Sequence, residues 1–497
     1  MSNSSTNTRA VRGAFLNLIR RLHFYIGLFV APFIFVAALT GTLYVLTPQL
    51  ENYLYKDALT ALPVGEAKPL SVQITAARRY AGEMLKVYAV RPAPQATETT
   101  RVQFVSGDLG PSESRSIFVD PYSLDIKGDM TVYGTSGVLP LRLWLDRLHR
   151  GLLLGDPGRN YSELAASWLW VVALGGVVLW LGTRPRRKAK KVKDHFAVSR
   201  YWHITLGLTL LAGLLFFSAT GLTWSQWAGG NIDHLRTSLN WLTPQVNTDL
   251  GVAKRTAPTD PHAEHHASMS LSGMNMANTS PHQMAINQPD SDWDKVLVAA
   301  RAAGISAGKV ELRQPKGEGK AWTVTEVDRS WPTQVDAVSV NPRTFAIVDH
   351  VWFDNFPLVA KLTRWGIDAH MGILFGLPNQ LILAFFGVAL CGMIVLGYRM
   401  WWLRRPSIAR VSPLDTLSGA WLMLNGLQKT LVLVITVLLG YALPVMGISL
   451  LFFMLIDIWR WQRLNRDIPH HKKHAKFTVE ADYVQAKFAG KPEQVRR

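Results

Sequence analysis

Five stretches of the 497-residue chain contain no Asp, Glu, Lys or Arg: residues 25–46, 164–183, 201–232, 371–398 and 430–456. A helix rises about 1.5 Å per residue, so about 20 apolar residues cross the hydrocarbon core of a bilayer, and each stretch is long enough. Tyr25, Tyr44, Trp180, Tyr201, Trp224 and Trp401 stand near their ends, where interfacial aromatics belong. The first stretch is too long, and lacks the small-residue cleavage site, to be a removed signal peptide. Between the stretches the period changes. "PLSVQITAARRYAGEML" and "DWDKVLVAARAAGIS" each predict an amphipathic helix, and "TRVQFVS", "SRSIFVD", "AWTVTEVD" and "QVDAVSVN" alternate as strands do. Asp120-Pro121 and Asn341-Pro342 are the expected turns between strand pairs.

The pattern predicts a polytopic α-helical membrane protein with two small α+β domains outside the bilayer. Its expected order is an N-terminal segment (1–21), a first span (22–47), a first outer domain (48–160), a second span (161–183), a basic loop (184–200) and a third span (201–226). A second outer domain (227–376, with an insertion at 244–287), a fourth span (377–402), a short loop (403–415), a C-terminal apolar region (416–460) and a basic tail (461–497) follow. Lys429 and Pro444 interrupt the C-terminal region, which reads as a two-helix hairpin or one long kinked span.

Charge sets the orientation. The net charge of +18 is gathered in Arg9, Arg12, Arg20 and Arg21, in "RPRRKAKKVK" (Arg184 to Lys193), in Arg399, Arg404 and Arg405, and in the tail. By the positive-inside rule these segments and both termini are cytoplasmic, and the two α+β domains lie on the outer side of the membrane. A cytoplasmic tail requires an even number of crossings and favours the hairpin and six helices. Basic loops beside spans are thereby explained without nucleic acid. Cys391 is the single cysteine, so no intrachain disulfide, Cys-x-x-Cys-His haem attachment or cysteine-held cluster can form.

The chain repeats itself. "HFYIGL" at His23 matches "HITLGL" at His203, and Thr40-Gly41 and Thr220-Gly221 follow at the same interval. "VDPYSLDI" matches "VNPRTFAI", and at that same second offset "LHRGLLLG" around His149 matches "AHMGILFG" around His370. Two units of the same orientation predict a pseudo-twofold axis along the membrane normal. Such an axis brings His23 to His203 and His149 to His370. Two imidazoles facing each other suit both axial positions of one flat cofactor, and haem b accepts this without covalent attachment, giving two haems. Gly27 and Gly207, one helical turn after the inner histidines, would let a porphyrin approach, as would Gly151 and Gly372 at the outer pair. Arg147, Arg150 and Arg364 are candidates to neutralise propionates. A zinc or iron site without porphyrin needs three or four protein ligands, more than a pair supplies.

"RRLHFYIGLFVAPFIFVAALTGTLYVL", the "VDPYSLDI" turn and the "LHRGLLLG" motif resemble the PepSY-associated transmembrane family, over most of residues 12 to 406. That family includes iron-regulated inner-membrane proteins and ferric-siderophore reductases. The resemblance implies a four-helix core binding two b haems, with PepSY-like periplasmic domains. It implies His23 and His203 on the cytoplasmic-side haem, and His149 and His370 on the periplasmic-side haem. The implied activity is reduction of a ferric siderophore or another periplasmic metal complex, with electrons from a quinol or a cytoplasmic reductase. No catalytic side-chain constellation stands out, and neither a Gly-x-Gly-x-x-Gly fingerprint after a strand nor a P-loop is present.

The insertion departs from that pattern. It interleaves His262, His265, His266 and His282 with Met269, Met274, Met276 and Met284, a soft donor set that suits copper. Copper handling or transport is therefore an alternative, set against a plain Ser/Asn/Pro-rich linker. A PepSY-mediated regulatory module is another, although it leaves the paired histidines unexplained. A transporter needs polar groups at mid-membrane, and the four principal apolar stretches have few.

Overall fold

In the computed structural model, which describes residues 2–110, 112–134, 136–183, 195–251, 289–404 and 416–466, each apolar stretch is helical apart from short breaks. The His/Met-rich insertion, the basic loop 184–194, residues 405–415 and the tail from 467 lie outside the described residues. The chain divides into two units. One comprises residues 1–39, 157–231 and 385–497, the other residues 40–156 and 232–384.

The first unit is helical. Helices α1 (Ser2–Phe29) and α2 (Ala31–Val45) make a span bent by 55°. Pro32 explains the bend: it has no N–H to give the Leu28 carbonyl one turn back. The Tyr398 hydroxyl donates to that carbonyl instead, at 2.8 Å. After α3 (Thr47–Leu54), α4 (Lys56–Leu59), α5 (Leu70–Ala81) and α6 (Pro140–Gly151), which belong to the second unit, comes the unbroken span α7 (Asp156–Gly182). Helices α8 (His195–Thr209) and α9 (Leu211–Thr223) form the second bent span, at 60°. This bend has no proline; the Phe386 ring fills the place where Gly213 lacks a side chain, and a Cβ there would collide with it.

Charged groups buried among these helices are spent on helix ends. Glu163 of α7 accepts from the N–H groups of Trp227 and Ala228, at 2.8 and 3.1 Å, at the start of α10 (Trp227–Ser238). Those donors have no partner within their own helix. After α11 (Ser291–Ala302) and α12 (Leu358–His370) of the second unit, the span α13 (Leu377–Arg404) leads to α14 (Leu417–Leu422), α15 (Gly426–Ala442) and α16 (Pro444–Arg466). Asp457 of α16 is fully buried. Its carboxylate accepts from the Leu417 and Ser418 N–H groups at 2.9 and 2.7 Å and from the Tyr25 hydroxyl at 2.6 Å.

Among the described residues three helices, α7, α13 and α16, are long and apolar enough to cross a membrane, and each bent pair counted as one span makes five. At 17 residues α15 is shorter than those spans, because the Asn425–Gln428 capping box starts it and the break at Leu443 before Pro444 ends it. The C-terminal apolar region is thus two helices, α15 and α16, broken before Pro444. Gly440 and Gly447 bring α15 and α16 into backbone contact, with a Cβ on Gly447 only 2.9 Å from the Gly440 Cα.

The second unit is built on one antiparallel sheet of eight strands. They are β1 (Val87–Arg91), β2 (Thr100–Phe104), β3 (Glu113–Val119), β4 (Ile126–Tyr133), β5 (Val310–Arg313), β6 (Trp322–Glu326), β7 (Ala337–Val340) and β8 (Ile347–Val351). Their order is β4-β3-β2-β1-β5-β6-β7-β8, so the two α+β segments read separately from the sequence share one sheet. Ile74 of α5 and Trp293 and Val296 of α11 are buried in one core with Val90, Val102, Leu312 and Val324 of the strands. Asp294 of α11 caps the start of α5, accepting from the Leu70 N–H at 2.7 Å. Both anticipated turns are present and alike. Asp120 Oδ1 accepts from Tyr122 N at 2.9 Å, and Asn341 Oδ1 accepts from Arg343 N at 2.9 Å.

Candidate functional site

The inner histidines are both in the helical unit. His23 of α1 and His203 of α8 stand with ring centroids 6.5 Å apart and planes at 88°. That separation is close to the about 6 Å kept by two imidazoles that each donate a nitrogen at about 2 Å to one metal ion between them. The Met393 carbonyl lies 2.9 Å from His203 Nδ1, which fixes the ring and makes Nε2 the nitrogen that could take a metal. His23 Nδ1 is buried near the Val172 carbonyl, without a well-formed hydrogen bond.

Glycines on neighbouring helices make room for these rings. A Cβ on Gly176 of α7 would sit 3.3 Å from His23 Cε1, and one on Gly397 of α13 would sit 3.5 Å from His203 Cε1. Gly27 opens on empty space, with nothing within 4 Å of its would-be Cβ, and Gly207 faces the Met393 sulfur at 3.5 Å. Smooth backbone beside the rings and unfilled space at Gly27 are what a flat, rigid ligand between helices requires. The donor set therefore fits a bis-histidine haem.

The outer histidines are both in the sheet-containing unit. His149 is in the last turn of the amphipathic helix α6, and His370 ends the corresponding α12. His149 Nδ1 lies 3.1 Å from the Thr40 hydroxyl, and a Cβ on Gly41 would come within 3.2 Å of His149 Cε1. The repeated Thr-Gly pair thus acquires a physical meaning at this site: the hydroxyl orients the ring and the glycine lets it lie against α2. Burial, and then the nearby His149, push the His370 imidazole down to about 3, so it is neutral at pH 7, the form that binds metal. Gly151 is buried at the end of α6. Gly372 adopts φ +72°, a backbone that favours glycine, and its would-be Cβ faces Gln380, Leu383 and Val45.

The three arginines singled out from the sequence have different surroundings. Arg147 is half-exposed and pairs with Glu113. Arg150 reaches Asp146 at 3.3 Å and the Tyr133 hydroxyl at 3.0 Å. Arg364 and Arg329 flank the fully buried Asp368, at 3.4 and 2.6 Å. Burial, reinforced by the neighbouring Arg329, lowers Arg364 to about 10, so it stays charged at pH 7. Sequence reasoning missed Arg142, whose guanidinium stacks 4.5 Å from the Tyr44 ring and donates to the Met371 carbonyl at 3.3 Å, beside His370.

Among the described residues no three His, Cys, Asp or Glu side chains converge as a metal site. The copper candidates His262, His265, His266, Met269, Met274, Met276, His282 and Met284 lie outside the described residues. No curated protein matches the chain. The family model described as the PepSY-associated TM region matches residues 20–404, which includes all four paired histidines, and the chain belongs to that family of membrane proteins.

Proposed function

We propose that the protein is a di-haem b electron-transfer protein of the bacterial inner membrane that reduces a periplasmic metal complex, most simply a ferric siderophore, in iron acquisition. The observation that carries this reading is the His23–His203 pair, with rings 6.5 Å apart and perpendicular against glycine-faced helices. Sequence repetition extends it to His149 and His370, and the sheet order, the same from either end, agrees with a duplicated chain. In this reading His23 and His203 hold one haem and His149 and His370 the other. When bound, haem supplies one-electron transfer, and the protein supplies position and environment. Met393 holds the His203 ring by its carbonyl, and Thr40 holds that of His149. Reduction of a ferric chelate weakens its hard-oxygen coordination and lets Fe(II) leave.

The test is a reduced-minus-oxidised spectrum with a pyridine haemochrome assay on detergent-purified protein made with ample haem. Two b haems per chain are expected, with His23→Ala and His149→Ala each removing one low-spin signal. Protein that is folded yet haem-free under those conditions refutes the reading.

A further inference from the structure

The sheet-containing unit holds a cavity of about 360 Å³, and its charge is one-sided. Arg91, Arg101 and Arg142 line it from the first half of the sequence, and Lys309 and Arg329 from the second. The acids on its wall are Glu98 and Asp328, so cations outnumber carboxylates by five to two. Three of the cations have carboxylate partners. Arg91 pairs with Glu311, Lys309 with Asp328 at 3.6 Å, and Arg329 with Asp368 at 2.6 Å.

Arg101 and Arg142 do not have one within ion-pair distance among the described residues. Arg101 has the Gly137 carbonyl at 3.4 Å and the Phe118 ring at 5.2 Å. Arg142 has the Tyr44 ring and the Met371 carbonyl, and its Nε is buried without a hydrogen-bond partner. The nearby carboxylate of Glu51 accepts from the Arg142 backbone N–H at 2.9 Å. Gly137, at φ +62°, permits the crowding: a Cβ there would collide with the Arg91 guanidinium and lie 3.4 Å from that of Arg101. The Arg91 and Arg101 guanidiniums thus crowd one another on the cavity wall, and since the Glu311 carboxylate answers only Arg91, Arg101, like Arg142 elsewhere on the wall, leaves a positive charge that a negatively charged ligand relieves.

We propose that this cavity binds a compact, carboxylate-rich anion through Arg101 and Arg142. Its volume is at the small end of ligand sites, which suits a compact anion. Guanidinium forks match carboxylates two oxygens at a time. Resting on the reductase reading for the identity of the metal, the ligand is a ferric hydroxycarboxylate chelate with uncompensated negative charge. The anion site itself does not depend on haem.

Calorimetric titration of the full-length protein in detergent with ferric citrate, inorganic phosphate and a cationic ferric hydroxamate tests this. One ferric citrate per chain is expected, with affinity falling as salt is raised and with no binding of the cationic chelate. Arg101→Gln and Arg142→Gln should each weaken binding about tenfold or more, and Arg101→Lys less. Equal binding of cationic and anionic chelates by the unaltered protein, or unchanged affinity in both folded variants, overturns the proposal. Tighter binding of phosphate than of ferric citrate overturns the carboxylate assignment. The same titration on the His23→Ala, His149→Ala double variant separates the two readings. Citrate binding by unaltered protein that lacks haem leaves the cavity standing without the redox function, and haem without citrate binding removes only the cavity.

Discussion

At the scale of the residue, the candidate site depends on small side chains as much as on histidines. The would-be Cβ of Gly176 already touches the His23 ring, so Gly176→Val would push methyl groups into the imidazole. On the di-haem proposal, loss of about one of two haems by pyridine haemochrome is expected, with little change in melting temperature; full loading would show that the ring is not where α7 faces it. The histidines were legible because each recurs at a constant offset beside a repeated glycine. Gly176 and Gly397 were not legible, because they sit on other helices and become neighbours of His23 and His203 only when four chain segments pack. Arg142 was passed over for a similar reason. Nothing local distinguishes it from Arg147, and the difference lies in what folds against it: the Tyr44 ring for Arg142, the Glu113 carboxylate for the half-exposed Arg147.

At the scale of the element, apolar stretches gave the positions of the helices but not their bends. Pro32 is visible in the sequence, whereas the Phe386 ring that fills the Gly213 gap comes from a distant segment. The Asp457 carboxylate ties the C-terminal helices to α1, alongside the stacked Phe29 and Phe453 rings. Asp457→Ala strands the Tyr25 hydroxyl and two backbone donors in an apolar setting, at about 1–3 kcal/mol for each group left unpaired. A lowered melting temperature in detergent is expected, together with faster proteolysis within 417–466. Because Tyr25 is two residues from His23, the di-haem proposal further expects the variant to broaden or shift the low-spin signal assigned to His23 and His203. Unaltered stability would mean that Asp457 carries little of the attachment. The strands were legible where apolar and polar residues alternate, as in β3 and the four-residue β7, and not in β4, whose eight residues carry Gly128 and little apolar alternation.

At the scale of the whole molecule, the sequence divides the outer segments into two domains, and the structure joins their strands through β1 and β5. Single-chain periodicity cannot foresee that joint, since edge pairing is a property of two distant segments. It is stapled by Arg91 and Arg313, which converge on the buried Glu311. Burial alone would raise the Glu311 carboxyl, but the two guanidiniums outweigh it and hold it below its usual range. A carboxyl lowered on folding contributes stability above its unfolded value of about 4.3, and that contribution is lost as pH falls through the lower folded value. Glu311→Gln should therefore lower the melting temperature at pH 7 and flatten its acid dependence below about pH 4. An unchanged acid profile would exclude the staple. The joint is also the sheet's narrowest: β1 meets β5 only at Ala89 with Arg313 and Val90 with Leu312, whereas β3 meets β4 from Glu113 to Val119. Mechanically the sheet has a fracture line, and under load or thermal agitation its halves should part there before any other pair of strands separates. Amide hydrogens of β1 and β5 should accordingly exchange sooner than those of β2 and β6.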